Sequence, residues 1–268
     1  MDKPRIRCEI RDGIAEVMLT RGDKLNALDR AMFGSIDETL NQLARQKGLR
    51  AVILHGEGRA FCAGLDVKSM LRQPVAALEI LRREADEATN LAQRVAYGWH
   101  QLPVPVIAVT QGVCFGGGLQ IALGADFRFS TPDCRFSVME IKWGIIPDMS
   151  GSVTLRNLMG VDVAMELAMS GRELDAQEAR ALGLVSRVCE DPLDAAREFA
   201  RTLITKSPDA LAGIKQLYHQ AWARSDEVML KEETRLQQQI LGRPNQWRAT
   251  LNSLFRWRLP FGPRRNAL

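Results

Sequence analysis

Residues 104–130 read VPVIAVTQGVCFGGGLQIALGADFRFS, and this stretch decides the fold. Val106 to Val109 is an apolar run of the kind found in buried strands, and it ends toward Gly112. Three glycines, Gly116, Gly117 and Gly118, then lead into an apolar helical run from Leu119 to Ala125. A strand, a small-residue turn and a helix start in that order let backbone amides approach a ligand, because glycine has no Cβ to hold it off. Further strands are expected at Asp126–Ser130 and Arg135–Val138.

A second segment follows the same logic. Ala51 to Leu54 is a short continuous apolar run, as expected of a strand covered on both faces. It leads through His55-Gly56-Glu57-Gly58-Arg59 into Ala60-Phe61-Cys62-Ala63-Gly64-Leu65-Asp66, with Asp66 placed to cap a brief helix. The N–H groups of Ala63 and Gly117 are expected to converge on one oxygen as an oxyanion hole. One such donor is worth roughly 3–4 kcal/mol of transition-state stabilisation.

Working outward, Arg5–Ile10 and Ile14–Leu19 alternate around Asp12-Gly13 and read as a hairpin. Asp29 is a plausible N-cap for a helix carrying Met32, Ile36, Leu40 and Leu43 on one face. Val75–Leu102 reads as one long helix, ended by Pro103 and Pro105. From Ser150 helices follow one another, interrupted by a short strand at Leu184–Val188. The strand–helix alternation indicates an α/β fold with a helical C-terminal portion.

The bulk numbers exclude several classes. With 268 residues, 46% of them hydrophobic, the chain can bury a large core in one domain or two. The net charge of +4 is mild. Arg256, Arg258, Arg264 and Arg265 cluster near the end without an aromatic-basic motif, so no nucleic-acid partner is expected. Cys8, Cys62, Cys114, Cys134 and Cys189 form no CxxC pair and suit reduced thiols. His55, His100 and His219 lack metal-ligand spacing, and no metal is expected. No signal-peptide stretch or membrane-spanning run stands out, which points to a cytoplasmic protein with no membrane partner.

FCAGLD (61–66) and GVCFGGGLQIALGADFRFS (112–130) together closely resemble the two signature segments of the crotonase (enoyl-CoA hydratase/isomerase) superfamily. Lys24-Leu25-Asn26-Ala27-Leu28, Gly171-Arg172, Ala176-Gln177-Glu178-Ala179 and Leu182-Gly183-Leu184-Val185 extend the resemblance over roughly residues 5–240. It implies a ββα spiral core over residues 1–200 and a helical trimerisation region over 201–268, assembled as homotrimers or homohexamers. It implies a coenzyme A thioester as substrate, with no bound cofactor, and the thioester carbonyl between the amides of Ala63 and Gly117. Lys24, Leu25 and Ala27 would line the CoA and substrate path, together with Ala63, Gly64, Leu65, Asp66, Gly116 and Gly117. The C-terminal stretch departs from the family pattern, keeping Arg258 ahead of Pro260.

Enolate chemistry also needs a proton carrier. Hydratases resembling this chain carry two glutamates, one two residues after the triple glycine and one twenty further on. Here these positions are Gln120 and Glu140. A glutamine can hold a water but cannot accept its proton. Glu140 is the candidate general base and acid, and loss of a partner carboxylate removes a like charge and leaves it more readily ionised at neutral pH. Asp148 stands where such hydratases have glycine and dienoyl-CoA isomerases have aspartate. It either serves as a second base or caps a helix starting at Met149-Ser150. Cys62 and Cys114 read as packing residues. The pattern favours double-bond isomerisation of an enoyl-CoA or dienoyl-CoA, with Glu140, Asp148 and Gln120 in catalytic places. An enoyl-CoA hydratase is the alternative, and a catalytically inactive acyl-CoA-binding protein the alternative of another class.

Overall fold

The computed structural model describes residues 4–72, 74–221 and 224–265. Strands β1 (Ile6–Arg11) and β2 (Ile14–Leu19) form the expected hairpin. Asp12 and Gly13 sit at φ 52° and 79°, the paired left-handed residues of a turn whose twist matches the strands. Helix α1 (Arg30–Arg45) starts at Asp29, whose carboxylate accepts from the Met32 N–H at 2.9 Å. Its buried face carries Met32, Ile36, Leu40 and Leu43 as expected. Then come β3 (Ala51–Gly56), α2 (Val67–Arg72), α3 (Pro74–Glu79), α4 (Leu91–Gln101), β4 (Val106–Thr110), β5 (Val113–Phe115) and α5 (Gly117–Leu123). Strands β6 (Phe127–Ser130) and β7 (Arg135–Ser137) precede α6 (Gly151–Leu155), α7 (Val161–Ser170), α8 (Ala176–Ala181) and β8 (Arg187–Val188). The chain closes with α9 (Pro192–Ile204), α10 (Pro208–Ala221), α11 (Asp226–Ile240) and α12 (Pro244–Phe255).

Six strands form one sheet in the order β1-β2-β3-β4-β6-β8, parallel from β2 onward, and β5 pairs with β7 as a separate parallel ribbon. The period of two along β3 decides how the sheet is covered. Val52 and Leu54 face a core shared with α1, α4 and α5, where Phe33 and Trp99 are buried. Ala51 and Ile53 face the other way, joining Ile107, Val109 and Phe129 under Ala196 and Ala200 of α9. Small residues on α9 let it lie close to the sheet. Both faces being covered, β3 and β4 carry the unbroken apolar runs Ala51–Leu54 and Val106–Val109.

Three expectations need correction. The helix expected over Val75–Leu102 is broken: α3 ends at Glu79, and α4 begins only after Asn90. Leu78 and Leu81 lie exposed, so the helical period meets no core there, and the run Arg82-Arg83-Glu84 has nothing to bury. Asn90 instead nucleates a new helix through a reciprocal capping box with Gln93. The strand expected at Leu184–Val188 shrinks to Arg187–Val188, because the Leu184 and Val185 amides both turn back to Ala179 O to close α8. Third, α6 starts at Gly151 with Ser150 as its N-cap, and Asp148 does not cap it.

Helix α10 packs on both α11 and α12, and it is pinned to the sheet layer by a buried cation. Lys215 Nζ donates to Trp99 O at 3.1 Å and Val104 O at 2.9 Å and pairs with Asp126 at 2.9 Å. Beside it the His100 and His219 rings stack with centroids 3.5 Å apart.

Candidate active site

The two small-residue loops lie side by side because their backbones are zipped. Cys62 N–H donates to Val113 O at 3.1 Å, and Phe115 N–H donates to Cys62 O at 3.0 Å. A Cβ on Gly118 would fall 2.5 Å from Cys62 O, so only glycine permits the approach. The loop of residues 24–28 joins on the far side, with Leu28 N–H donating to Gly64 O and Asp66 N–H to Leu28 O. Asn26, fully buried, holds that junction. It accepts from Arg21 N–H at 2.9 Å and donates to Glu57 O at 3.0 Å and Ala60 O at 2.9 Å.

Of the expected oxyanion donors, Ala63 is committed elsewhere: its N–H donates to Leu25 O at 2.9 Å. Leu25 and Asn26 both adopt left-handed φ, 51° and 54°, and this turn aims the Leu25 carbonyl at Ala63. Two residues on, the Leu65 N–H has no partner among the described residues. Gly117 is the first residue of α5, so its N–H is one of the orphan amides of a helix start. A Cβ built on Gly64 would lie 3.5 Å from Gly117 N, which places the backbone just before Leu65 against the Gly117 amide. Gly64 itself is held at φ +86°.

Lys24 is exposed at the end of a 3₁₀ turn (Gly22–Lys24), and Leu25 and Ala27 are half-buried beside it. Asp66 accepts from Ser69 N–H at 3.0 Å, capping α2 as expected, and pairs with Arg21 at 2.8 Å. Burial pushes its carboxyl up. The Ser69 amide and the charges of Arg21 and Lys24 outweigh this and hold it below the usual range.

Glu140 is buried, not a surface glutamate, and its Oε1 accepts from Gln120 Nε2 at 2.5 Å. Gln120 in turn accepts from Gly151 N–H at 2.9 Å through its own Oε1. A Cβ at Gly151 would stand 2.8 Å from that oxygen, so the approach depends on glycine. The backbone amide therefore fixes which end of the Gln120 amide faces Glu140. Glu140 Oε2 is left buried with no partner. A Cβ on Gly116 would lie 3.4 Å from Glu140 Oε1, which sets the carboxylate beside the start of α5.

Glu140 holds its proton more tightly than an exposed glutamate does. Burial raises its pKa above the ordinary value and the Asp148 charge adds to this, while hydrogen bonds from its own amide and from Gln120 pull the other way. Burial also raises Asp148, which is half-buried. Cys62 is a packing residue as expected: burial pushes its thiol up to about 12, and its Sγ lies 3.1 Å from Asn26 O. The Cys114 thiol is likewise raised by burial.

Next to Asp148, Ser150 takes φ 71°, a left-handed conformation costing a non-glycine residue about 1–2 kcal/mol. Its Oγ is buried without a partner, which costs about 1–3 kcal/mol more. A cavity of about 520 Å³ lies against Tyr97, Asp148 and Ser150. A larger cleft of about 620 Å³ lies against β1, β2 and α9, and it shares no residue with the amide loops. Its Arg197 is fork-paired to Glu16, so it reads as a solvated charged groove.

Sequence reasoning missed the unpartnered Leu65 amide, Asn26 as the junction and Gly151 as the clamp on Gln120. Asn26 carried a signal, since asparagine is enriched at left-handed positions. Gly151 carried none.

A buried carboxylate beside the glycine-rich start of a helix fits the class that the sequence resembles, and the chain belongs to it. The family model for enoyl-CoA hydratase/isomerase matches residues 9–247. The chain is thus an acyl-CoA enzyme of the crotonase superfamily. It is 31% identical over 258 residues to the 1,2-epoxyphenylacetyl-CoA isomerase of Escherichia coli K12, covering 95% of this chain and 97% of that one. The solved enoyl-CoA hydratase of Mycobacterium tuberculosis H37Rv is 27% identical, covering 97% and 99% of the two chains, with a TM-score of 0.85. That of Thermoplasma volcanium GSS1 is 28% identical over 96% and 98%, with a TM-score of 0.82. The inactive-binder alternative has no finding behind it. Among the described residues no helix is long and apolar enough to cross a membrane, and no His/Cys/Asp/Glu group could hold a metal.

Proposed function

We propose that this enzyme moves a double bond along an acyl-CoA thioester through an enolate, with Glu140 as the proton carrier. The thioester oxygen accepts from the Leu65 and Gly117 amides, which stabilise the charge as it develops. Glu140 removes a proton from the carbon next to the thioester carbonyl of a 3-enoyl-CoA. The electron pair spreads over the carbonyl and the alkene, and the same proton returns two carbons further along, leaving the 2-enoyl product. The reacting oxygen is Oε2, since Gln120 occupies Oε1. A carboxyl raised by burial releases and recovers a proton more evenly near neutrality than an exposed one. Asp148 serves as the second carboxyl when the double bond must travel further. Lys24, Leu25, Ala27 and Asp66 line the approach of the CoA moiety, and residues 201–268 carry assembly into trimers or hexamers.

The observation that carries this reading is the Gln120 clamp. An amide stands where a second base would stand, and both of its ends are engaged. The relative at 31% identity is named as an isomerase of an acyl-CoA, 1,2-epoxyphenylacetyl-CoA. Hydration of a 2-enoyl-CoA is the second reading, and the solved-structure comparisons favour it, since enoyl-CoA hydratases recur among them. On that reading Gln120 orients a water and Glu140 alone moves its proton. Parallel spectrophotometric assays with crotonyl-CoA, a 3-enoyl-CoA and a 3,5-dienoyl-CoA separate the two. Fast hydration that survives Asp148→Asn, with slow isomerisation, sinks the first reading.

A further inference from the structure

The cavity beside Asp148 is lined on one side by the start of α4, with Thr89, Gln93 and Tyr97, and on the other by the loop of residues 146–153. That loop connects it to the chemistry. Gly151 N–H holds Gln120, and the Asp148 charge reaches Glu140. Ile146, Pro147 and Val153 give the cavity an apolar side. Tyr97, Asp148, Thr89 and Gln93, whose side chains can make hydrogen bonds, line it as well.

Ser150 is the unusual member. It is held in a backbone conformation that glycine would adopt at less cost, and its buried Oγ has no partner. Both penalties would vanish with glycine at this position. Strain and an unsatisfied buried group together, at the wall of a cavity beside a catalytic carboxylate, are the marks of a residue whose use comes with an occupant. Gln93 points the same way. Its Oε1 is committed to the Asn90 N–H, which turns the donor end of the amide away from the cap.

We propose that this cavity receives an acyl group bearing its own oxygen, as hydroxyl, carbonyl or epoxide, in preference to a plain hydrocarbon chain. The proposal rests on the acyl-CoA reading above and names the substrate class of that site. A hydrocarbon chain would strip water from the half-buried Asp148 and Tyr97 and would leave the Ser150 Oγ unpaired, giving nothing in return. An oxygen-bearing group would satisfy them, and sites that hydrogen-bond a substrate oxygen discriminate strongly against analogues lacking it. The volume of about 520 Å³ falls within the range of small-molecule sites.

The test is calorimetric titration with unreactive saturated thioesters, so that binding is read apart from turnover. Hexanoyl-CoA is compared with 5-hydroxyhexanoyl-CoA and 6-hydroxyhexanoyl-CoA. The better hydroxyacyl thioester is expected to bind at least about tenfold more tightly, and the ratio is expected to fall toward one in Tyr97→Phe and Ser150→Gly. Ser150→Gly relieves backbone strain, so loss of the preference there is not a folding defect. Equal affinities, or tighter binding of hexanoyl-CoA, overturn the proposal. A preference that persists undiminished in both variants overturns it as well. Failure of all three thioesters to bind removes the acyl-CoA reading beneath it, and is told apart because hexanoyl-CoA then fails too.

Discussion

Gln120→Glu exchanges an N–H that Glu140 accepts for an oxygen that repels it. The two side chains already touch at 2.5 Å. Two carboxylates with charge centres about 4 Å apart oppose each other by about 4 kcal/mol at an effective dielectric constant of about 20. Since about 1.4 kcal/mol corresponds to one pH unit of titration, the pair shares one proton over a wide range. The Gly151 N–H remains as a donor to the new carboxylate, so the variant is expected to fold. The acidic limb of kcat/KM with a 3-enoyl-CoA is expected to move upward by at least about one pH unit. Hydration of crotonyl-CoA is expected to rise at least about tenfold, because a second carboxylate can now take the proton of water. Stopped-flow absorbance across a pH series reads both quantities. An acidic limb that stays in place, with hydration unchanged, would refute the contact between Gln120 and Glu140 on which the proposed mechanism depends.

Glu140→Gln is expected to cut turnover by about 10²–10⁴ while raising the melting temperature. The folded-state pKa of Glu140 is raised, so its favourable contribution is complete below the unfolded pKa and is lost as pH rises through the folded one. The gain in Tm, about 2–4 °C for each 1 kcal/mol recovered, therefore opens at alkaline pH and closes in acid, as scanning calorimetry will show. Asn26→Ala strands its buried partners Glu57 O and Ala60 O, at about 1–3 kcal/mol for each group left unsatisfied. Steady-state assays should find KM for the acyl-CoA rising more than kcat falls, because the junction shapes the path rather than the proton carrier. Asp126→Asn leaves Lys215 buried without its counter-charge and is expected to cost about 3–5 kcal/mol in urea unfolding. Lys215→Met in the same background should recover most of that loss. No recovery would mean that Asp126 acts through Val106 N–H, which it accepts at 2.7 Å.

The sheet and the amide loops were legible because their signals are local. Apolar runs such as Ala51–Leu54 and Val106–Val109 admit few alternatives, and the triple glycine stands next to the strand that presents it. Asp29 and Asp66 cap helices by rules that operate within three residues. What stayed hidden depends on residues far apart in sequence. Ala63 and Leu65 both present amides from one loop, and only the left-handed turn at Leu25 decides which is consumed. The raised pKa of Glu140 reflects burial that no window of sequence contains. The long helix failed for a related reason: periodicity shows which face could be buried, and Leu78 and Leu81 have no core to meet.

The break between α3 and α4 has a consequence of its own. Residues 81–88 are exposed, and the turn is tied down by the Asn90–Gln93 cap, the bond from Asn90 Nδ2 to Leu81 O and the Arg94–Glu87 pair at 3.3 Å. Yet Ala88 and Thr89 form part of the cavity wall. Changes of length or composition in such a surface turn cost little folding energy. Glu140, Gln120 and the amide loops are locked into the sheet layer by contrast. On the proposed function, selectivity and chemistry are therefore carried by separable parts, one an interchangeable wall and the other a fixed engine. A lineage with this architecture can trade substrates by editing one exposed turn while its proton carrier stays where it is.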